Sequence, residues 1–553
     1  TRDQASPDDG PLRFTLRVDD AGGLTYALEH EGRTVVEPSR LGFVLADREL
    51  VDGFEIVDTR TREAVEDFEL VWGEQRSVRD AYAELAVDLR LPDTDTRTTL
   101  IARVFADGVG FRFAWPDQPA LDDFVILDEL TEFRLPGDPT AWWIPAYAGN
   151  RYEYLYRENR LSALRAMRSV RALHTPLTLE TDDGLSVAIH EANLTDYAAM
   201  TLDVQDDGAL ACDLVPWSDG TKVKANTPFV TPWRVILVGE SPATLVESTI
   251  VLSLNEPNQL EDTSWIQPGK YAGIWWSLHV DKETWTTGER HGATTANTKR
   301  MIDFAAEHDL VGVLVEGWNT GWDDGWLNES VFDWTTPTPD YDLEEVARYA
   351  REKGTRIIGH LENGGDVERF LQRQEIVFER FRELGINSVK TGYVSHGQGI
   401  TRTTESGEKV QEWQHGQWMV RNYRDTVELA AEYGIMINAH EPIKDTGIRR
   451  TWPHMMTREG ARGQEYNAWS QGNGPDHTAI LPFTRMLSGP MDFTPGIMDV
   501  LIEPYKPNNR LPTTVAKQLA LYVTIHSPLQ MVTDLPENYA GNPAFGFIQD
   551  VPT

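Results

Sequence analysis

A single cysteine, Cys212, stands in 553 residues, which excludes an intramolecular disulfide framework and any cysteine-rich metal site. Lysine is scarce too: the first is Lys222, and most of the positive charge is arginine. With 51 Lys and Arg against 87 Asp and Glu, the formal charge is −36. The basic footprint that nucleic acid requires is therefore missing, and anionic membrane surfaces are disfavoured for the same reason. No stretch approaches the length of a membrane-spanning helix, and no signal peptide is visible. A start at Thr1 without Met fits a processed chain. The expectation is an extracytoplasmic protein, periplasmic or secreted, although the residues themselves leave export open. Surplus carboxylates with few lysines fit a high-salt source, where self-repulsion is screened. An ordinary acidic surface is the alternative, and an activity maximum in dilute buffer would favour it.

What is present is a folded, multidomain chain: 40% of residues are hydrophobic and 18 are Trp, over a length that exceeds one hydrophobic core. From Pro11 to about Leu260, short alternating segments such as LRFTLRV, GLTYALEH and GVGFRFAWP are punctuated by Gly and Asp turns. These predict an N-terminal antiparallel β-sandwich. The polar, proline-bearing NEPNQLEDTSWIQPGK, residues 255–270, reads as a linker. Beyond it, near-continuous apolar runs (YAGIWWS, LVGVLVEGW, TRIIGHLEN, SVKTGYV, IMINAHEP, SPLQMVTDLP) alternate with amphipathic helical stretches. About eight such units predict a closed (β/α)₈ TIM barrel. The domains are accordingly expected at 1–265 and 266–540.

Polar residues at the C-terminal ends of barrel strands share one mouth. Those residues are Glu316 with Trp318 and Asn319, His360 and Glu362, Lys390, His440 and Glu441, Glu465 with Asn467, and Asp534. Any one of them is more often a cap or a solvated group, but convergence of five or six is hard to explain that way. In the stretch 438–469, Glu441, Glu459 and Glu465 lie so close in sequence that they cannot all ionise cheaply in one cleft without a cation or a shared proton. Glutamate ligation without Cys pairs or HExxH suits a hard divalent ion. Glu191 follows a sandwich strand in VAIHEANLTDY, a position that is usually only solvated. Trp275, Trp276, Trp318, Trp322, Tyr393, Tyr466 and Trp469 sit in or beside these segments, and indoles stack on the C–H faces of sugars. Paired carboxylates with stacking aromatics point to glycoside hydrolysis. No GxSxG elbow, P-loop or dinucleotide fingerprint competes.

The motifs VEGWNTGW, GHLENGG, VKTGYV, NAHEPI, REGARGQEYNAW and LPFTRMLSGPMDFTPG resemble glycoside hydrolase family 97 across both domains. The resemblance implies an N-terminal β-super-sandwich, a catalytic (β/α)₈ barrel, a small C-terminal β domain that 541–553 would begin, and a Ca²⁺ ion in the active site. Retaining members carry an aspartate two residues after the fourth-strand lysine, where this chain has Gly392. On that basis the expectation is a calcium-dependent, inverting, exo-acting α-glucosidase of starch-derived oligosaccharides. The resemblance makes Glu465 the general acid and has Glu362 and Glu441 hold the attacking water. It assigns Glu191, Glu441, Glu459 and Glu465 to the metal, and His360, Lys390, His440, Glu316, Trp318 and Asn319 to the α-linked substrate. An α-galactosidase or other α-glycosidase of the family, or a catalytically inactive glycan-binding relative, is the alternative. The long polar segment after the fourth strand, SHGQGITRTTESGEKVQEWQHG, is expected to be a solvated insertion, the alternative being that it reshapes the entrance.

Overall fold

The computed structural model describes residues 2–6, 10–167, 169–323, 332–502 and 505–553. Alternation of apolar and polar residues folds the first half into antiparallel sheets, as expected. A ten-stranded sheet runs from Arg157–Arg160 through Thr140–Trp143, Leu177–Glu180, Ser186–Ala192, Trp233–Gly239, Gly108–Trp115, Thr96–Val104 and Ser77–Leu91 to Glu55–Glu69, with Phe229–Val230 beside Gly108–Trp115. Three four-stranded sheets accompany it. Phe14, Phe111, Ile126, Leu179, Ile189 and Leu214 belong to one shared core. Ser186–Ala192 is buried at every position, because it is paired on both edges.

The barrel strands are, in order, Gly269–Ile274, Gly312–Val315, Ile357–Glu362, Ser388–Gly392, Met436–Ala439, Met455–Arg458 and Leu529–Met531. All pair in parallel. The remaining gap, between the sixth and last of these, is bridged by a short segment around Met491. Met491 pairs in parallel with Arg458, while the Asp492 N–H donates to the Arg458 carbonyl and the Met491 N–H to that of His526. Helices Thr295–Glu307, Leu343–Glu352, Val367–Leu384, Gln417–Tyr433 and Val515–Thr524 cover the outside. Their ends follow local chemistry: Thr294 and Asp342 accept N-cap hydrogen bonds, and Gly385 and Gly434 close their helices in the left-handed conformation. Gly359 lets the third strand approach the helix behind it, since a Cβ there would sit 2.3 Å from the Phe381 ring.

Within 541–553, Ala544–Asp550 is a helix whose Phe545 stacks on Phe304 and Tyr539 of the barrel. The segment after the fourth strand is solvated around its tip, residues 403–411, but not at its base. It forms the hairpin Ile400–Thr403/Lys409–Glu412 and ties the two domains together. The Gly397 N–H donates to the Gly149 carbonyl, the Ala199 N–H donates to that of His415, and Glu412 accepts from the Ser218 N–H and hydroxyl at 2.9 and 2.8 Å. At the base its polar sequence misled, because its partners there are backbone groups of the other domain.

Candidate active site

The mouth of the barrel is a cleft lined by Trp275, His279, Trp285, Glu316, Trp322, His360, Glu362, Lys390, Gly392, Val394, His440, Glu441 and Glu465. Glu362 and Glu441 are each held by a neighbouring element. Glu362, the last residue of the third strand, accepts from the Gly364 and Val394 N–H groups at 2.7 and 2.9 Å. Burial nevertheless pushes its pKa up. Glu441 follows the fifth strand with a positive φ of 46°, a conformation that costs energy for a residue with a Cβ. It is held there by the Tyr393 N–H on its carboxylate (3.0 Å) and by the Tyr423 hydroxyl on its carbonyl (2.9 Å).

Glu465 stands alone on the cleft wall, with His279 Nε2 at 3.7 Å from its carboxylate. Burial, and then the charge of Glu153, raise its pKa to about 8. Such a carboxyl keeps its proton at neutral pH, as a general acid requires. Opposite in character is Glu316, which accepts from Lys390 Nζ at 2.9 Å and Trp285 Nε1 at 3.0 Å and has His360 Nε2 at 3.4 Å. Burial opposes its ionisation, but the two basic neighbours hold its pKa well below the ordinary carboxylate range. One carboxyl in the cleft is thus kept neutral and another kept charged, the separation of roles that acid–base chemistry uses.

A second cluster underlies the cleft. Oxygens of Glu153, Glu441 and Glu459 lie within 4.8 Å of one another. Burial drives the pKa of both Glu441 and Glu459 far up; Arg151 opposes it at Glu441, and neighbouring carboxylates, Glu362 and Glu153 at Glu441 and Glu153 and Glu465 at Glu459, add to it. Glu153 comes from the sandwich domain, and sequence reasoning missed it. It sits in RYEYLY, a segment without strand-end or motif signal, and only the domain packing delivers it to the barrel. Arg151 donates to it at 2.5 Å and the Tyr466 hydroxyl at 2.7 Å.

Glu191, expected at the metal, is elsewhere. It is fully buried and both oxygens are taken: one accepts from Lys444 Nζ (2.6 Å) and the Met200 N–H (2.8 Å), the other from Arg234 (2.8 Å). Its role is structural. The strand that carries it also clamps the loop after Glu441, with His190 Nε2 on the Asp445 carbonyl and the Asn193 N–H on that of Thr446. Replacing Glu191 by Gln leaves Lys444 and Arg234 short of charge in the interior, so we expect a loss of about 3–5 kcal/mol in thermal unfolding. A loss under about 1 kcal/mol, the range of exposed pairs, would contradict this assignment. Glu465 likewise lies outside the three-carboxylate cluster.

Of the expected sugar contacts, Glu316, His360, Lys390 and His440 line the cleft. Trp318 and Asn319 do not. The Trp318 indole donates to the His360 carbonyl (2.9 Å), and Asn319 accepts from Trp322 Nε1 (3.1 Å). They support the groups that face the cleft, since three and four residues past the strand end at Val315 the chain has turned their side chains from mouth to core. Asp492 was also missed. It accepts from His440 Nε2 (2.9 Å), Asn438 (2.6 Å) and the Tyr271 hydroxyl (3.0 Å), and so fixes the His440 ring from across the barrel. Gly392 takes its meaning from Glu441, whose Oε2 lies 2.6 Å from where a Cβ would be. The space in front of the fourth strand is therefore filled by a carboxylate from the fifth.

The family models place these features in context. The Glycosyl-hydrolase 97 N-terminal model matches residues 5–257, and the Glycoside hydrolase 97 model matches 275–461. A Streptomyces bingchenggensis protein named a probable retaining alpha-galactosidase is 30% identical over 96% of this chain and 75% of its own length. A retaining alpha-galactosidase of Bacteroides thetaiotaomicron is 26% identical over 99% and 82%. Among solved structures, a family 97 enzyme of Pseudoalteromonas sp. strain K8 in complex with acarbose is 44% identical, covering all of this chain and 83% of that one with a TM-score of 0.96. A variant of that enzyme in complex with panose gives the same values. The expected inverting α-glucosidase is corrected by the two curated relatives, both named retaining α-galactosidases. The inference from Gly392 tied the nucleophile to one backbone position and gave Glu362 and Glu441 only the holding of water, although both carboxyls reach the same cleft from neighbouring strands. With both domain models matched in order along one chain, and the carboxylates of both domains meeting at one mouth, the protein belongs to glycoside hydrolase family 97.

Proposed function

We propose that the cleft is the active site of an exo-acting α-glycosidase that removes the terminal sugar of α-linked oligosaccharides, with α-galactosides the class favoured by the names of the curated relatives. The observation that carries this reading is the pairing of Glu465, held protonated, with the Glu362 and Glu441 carboxyls in one cleft. Glu465 delivers its proton to the glycosidic oxygen, and Glu362 and Glu441 supply the second carboxylate that such cleavage needs. Lys390 and Glu316 bind sugar hydroxyls with charge-assisted hydrogen bonds, His360, kept neutral by burial, adds an ordinary one, and the Trp275, Trp285 and Trp322 rings exclude water around the sugar ring.

The same reading assigns Ca²⁺ to Glu153, Glu441 and Glu459. Three carboxyls that repel one another, Glu153 and Glu459 buried and Glu441 half-buried, with no sulfur or histidine in the trio, fit a hard cation. When bound, the ion supplies positive charge that lets these groups remain ionised beside the reacting sugar. Tyr466 and Arg151 orient Glu153 toward it.

The test is a panel of nitrophenyl glycosides assayed with calcium supplied. Hydrolysis of the α-galactoside or another α-glycoside, with the β-anomers untouched, is expected. No turnover of any α-glycoside would contradict the reading.

A further inference from the structure

We propose that Trp469 is the platform on which the leaving-group sugar stacks, and hence a residue that sets the preference for oligosaccharides over single sugars; this rests on the α-glycosidase reading above. Tyr466–Trp469 is a single helical turn that starts directly after Glu465. Trp469 is four residues beyond Glu465, so the two side chains lie on one face of that turn. Tyr466 links this face to the cleft. Its hydroxyl bonds Glu153 in the carboxylate cluster at 2.7 Å, while its ring lies 4.3 Å from that of Trp469. The Arg462 guanidinium sits 4.3 Å from the centre of the same Tyr466 ring. A wall of flat groups thus leads from the carboxylates outward and ends on an indole.

That indole is 48% exposed, whereas Trp275, Trp276, Trp318, Trp322 and Trp334 of the same domain are at most 3% exposed. An aromatic surface left in water one helical turn from Glu465 matches the apolar C–H face of a hexose. Direction follows from the chemistry. The oxygen that Glu465 protonates belongs to the departing sugar, so that sugar must lie beside Glu465, and the exposed indole on the same face of that turn is the apolar surface next to it.

The experiment compares two substrates that differ only in the leaving group: the trisaccharides panose and raffinose, and the α-fluorides of their terminal sugars, whose fluoride is too small to reach the indole. In Trp469→Ala, the KM of the trisaccharide relative to that of the fluoride is expected to rise about tenfold, and Trp469→Phe should restore most of the loss. An unchanged ratio, or equal changes on both substrates, would overturn the proposal. Binding separates this from the functional reading. In a Glu465→Gln background, calorimetry with panose and raffinose is expected to show about tenfold weaker binding when Trp469→Ala is added. Equal affinities, or no binding in either background, overturn the Trp469 assignment. If the wild-type protein cleaves no α-glycoside but binding still weakens, the α-glycosidase reading fails and the platform stands.

Discussion

Replacing Glu465 by Gln lowers turnover of an unactivated α-linked disaccharide by about a thousandfold, while a dinitrophenyl α-glycoside loses less than about tenfold, because only the poor leaving group needs a proton. The pH profile carries the same signature. Burial, and then the Glu153 charge, raise the Glu465 pKa to about 8 in the cation-free protein, and Ca²⁺ beside Glu153 offsets the second of these. The acid is present below its pKa, and wild-type activity on the disaccharide declines as pH rises through it. In the Gln variant this alkaline limb disappears, since an amide has no proton to lose. Equal losses on both substrates would make Glu465 a binding group and return the acid role to another carboxyl.

Removing the cation is expected to have an effect of similar size. Exhaustive chelation should reduce kcat/KM by at least about a hundredfold, with recovery on adding Ca²⁺, because the charge that steadies Glu153, Glu441 and Glu459 is lost. Stability reports the same site independently of activity. In the cation-free protein the folded-state pKa values of Glu441 and Glu459 are raised above their unfolded ones by burial and repulsion. The stability they contribute is complete below the unfolded value, near 4, and is lost as pH rises through the folded values. The melting temperature of the chelated protein should therefore fall between pH 5 and 8, and the gain from Ca²⁺ should grow over that range. Full activity and an unmoved melting temperature after chelation would remove the ion from this account.

The sequence disclosed the parts of the molecule whose signals are local. Alternation in LRFTLRV and continuous apolar runs such as IMINAHEP depend only on which faces of a strand are covered, so both domains and the shared mouth could be read directly. Glu362, Glu441 and Lys390 followed from the strand-end rule. The errors arose where position depends on the other domain. Glu153 lies in a loop of the sandwich with no pattern of its own, and Asp492 belongs to a segment too short to read as a strand. Glu191 read as a solvated strand end and was placed at the metal by the family resemblance alone, yet its charge is consumed by Lys444 and Arg234, neither of which is near it in sequence. Gly392 showed the same limit in reverse: the residue missing from one strand says little when the adjacent strand can place Glu441 in the same space.

The central claim is that this mouth cleaves terminal α-glycosidic bonds through Glu465. The most direct measurement is the release of monosaccharide from raffinose and panose by calcium-loaded wild-type protein and by Glu465→Gln under identical conditions. The account predicts that the terminal sugar is released by the wild type and that the variant's rate is about a thousandfold lower. Absence of release by the wild type, or an undiminished rate in the variant, would contradict it.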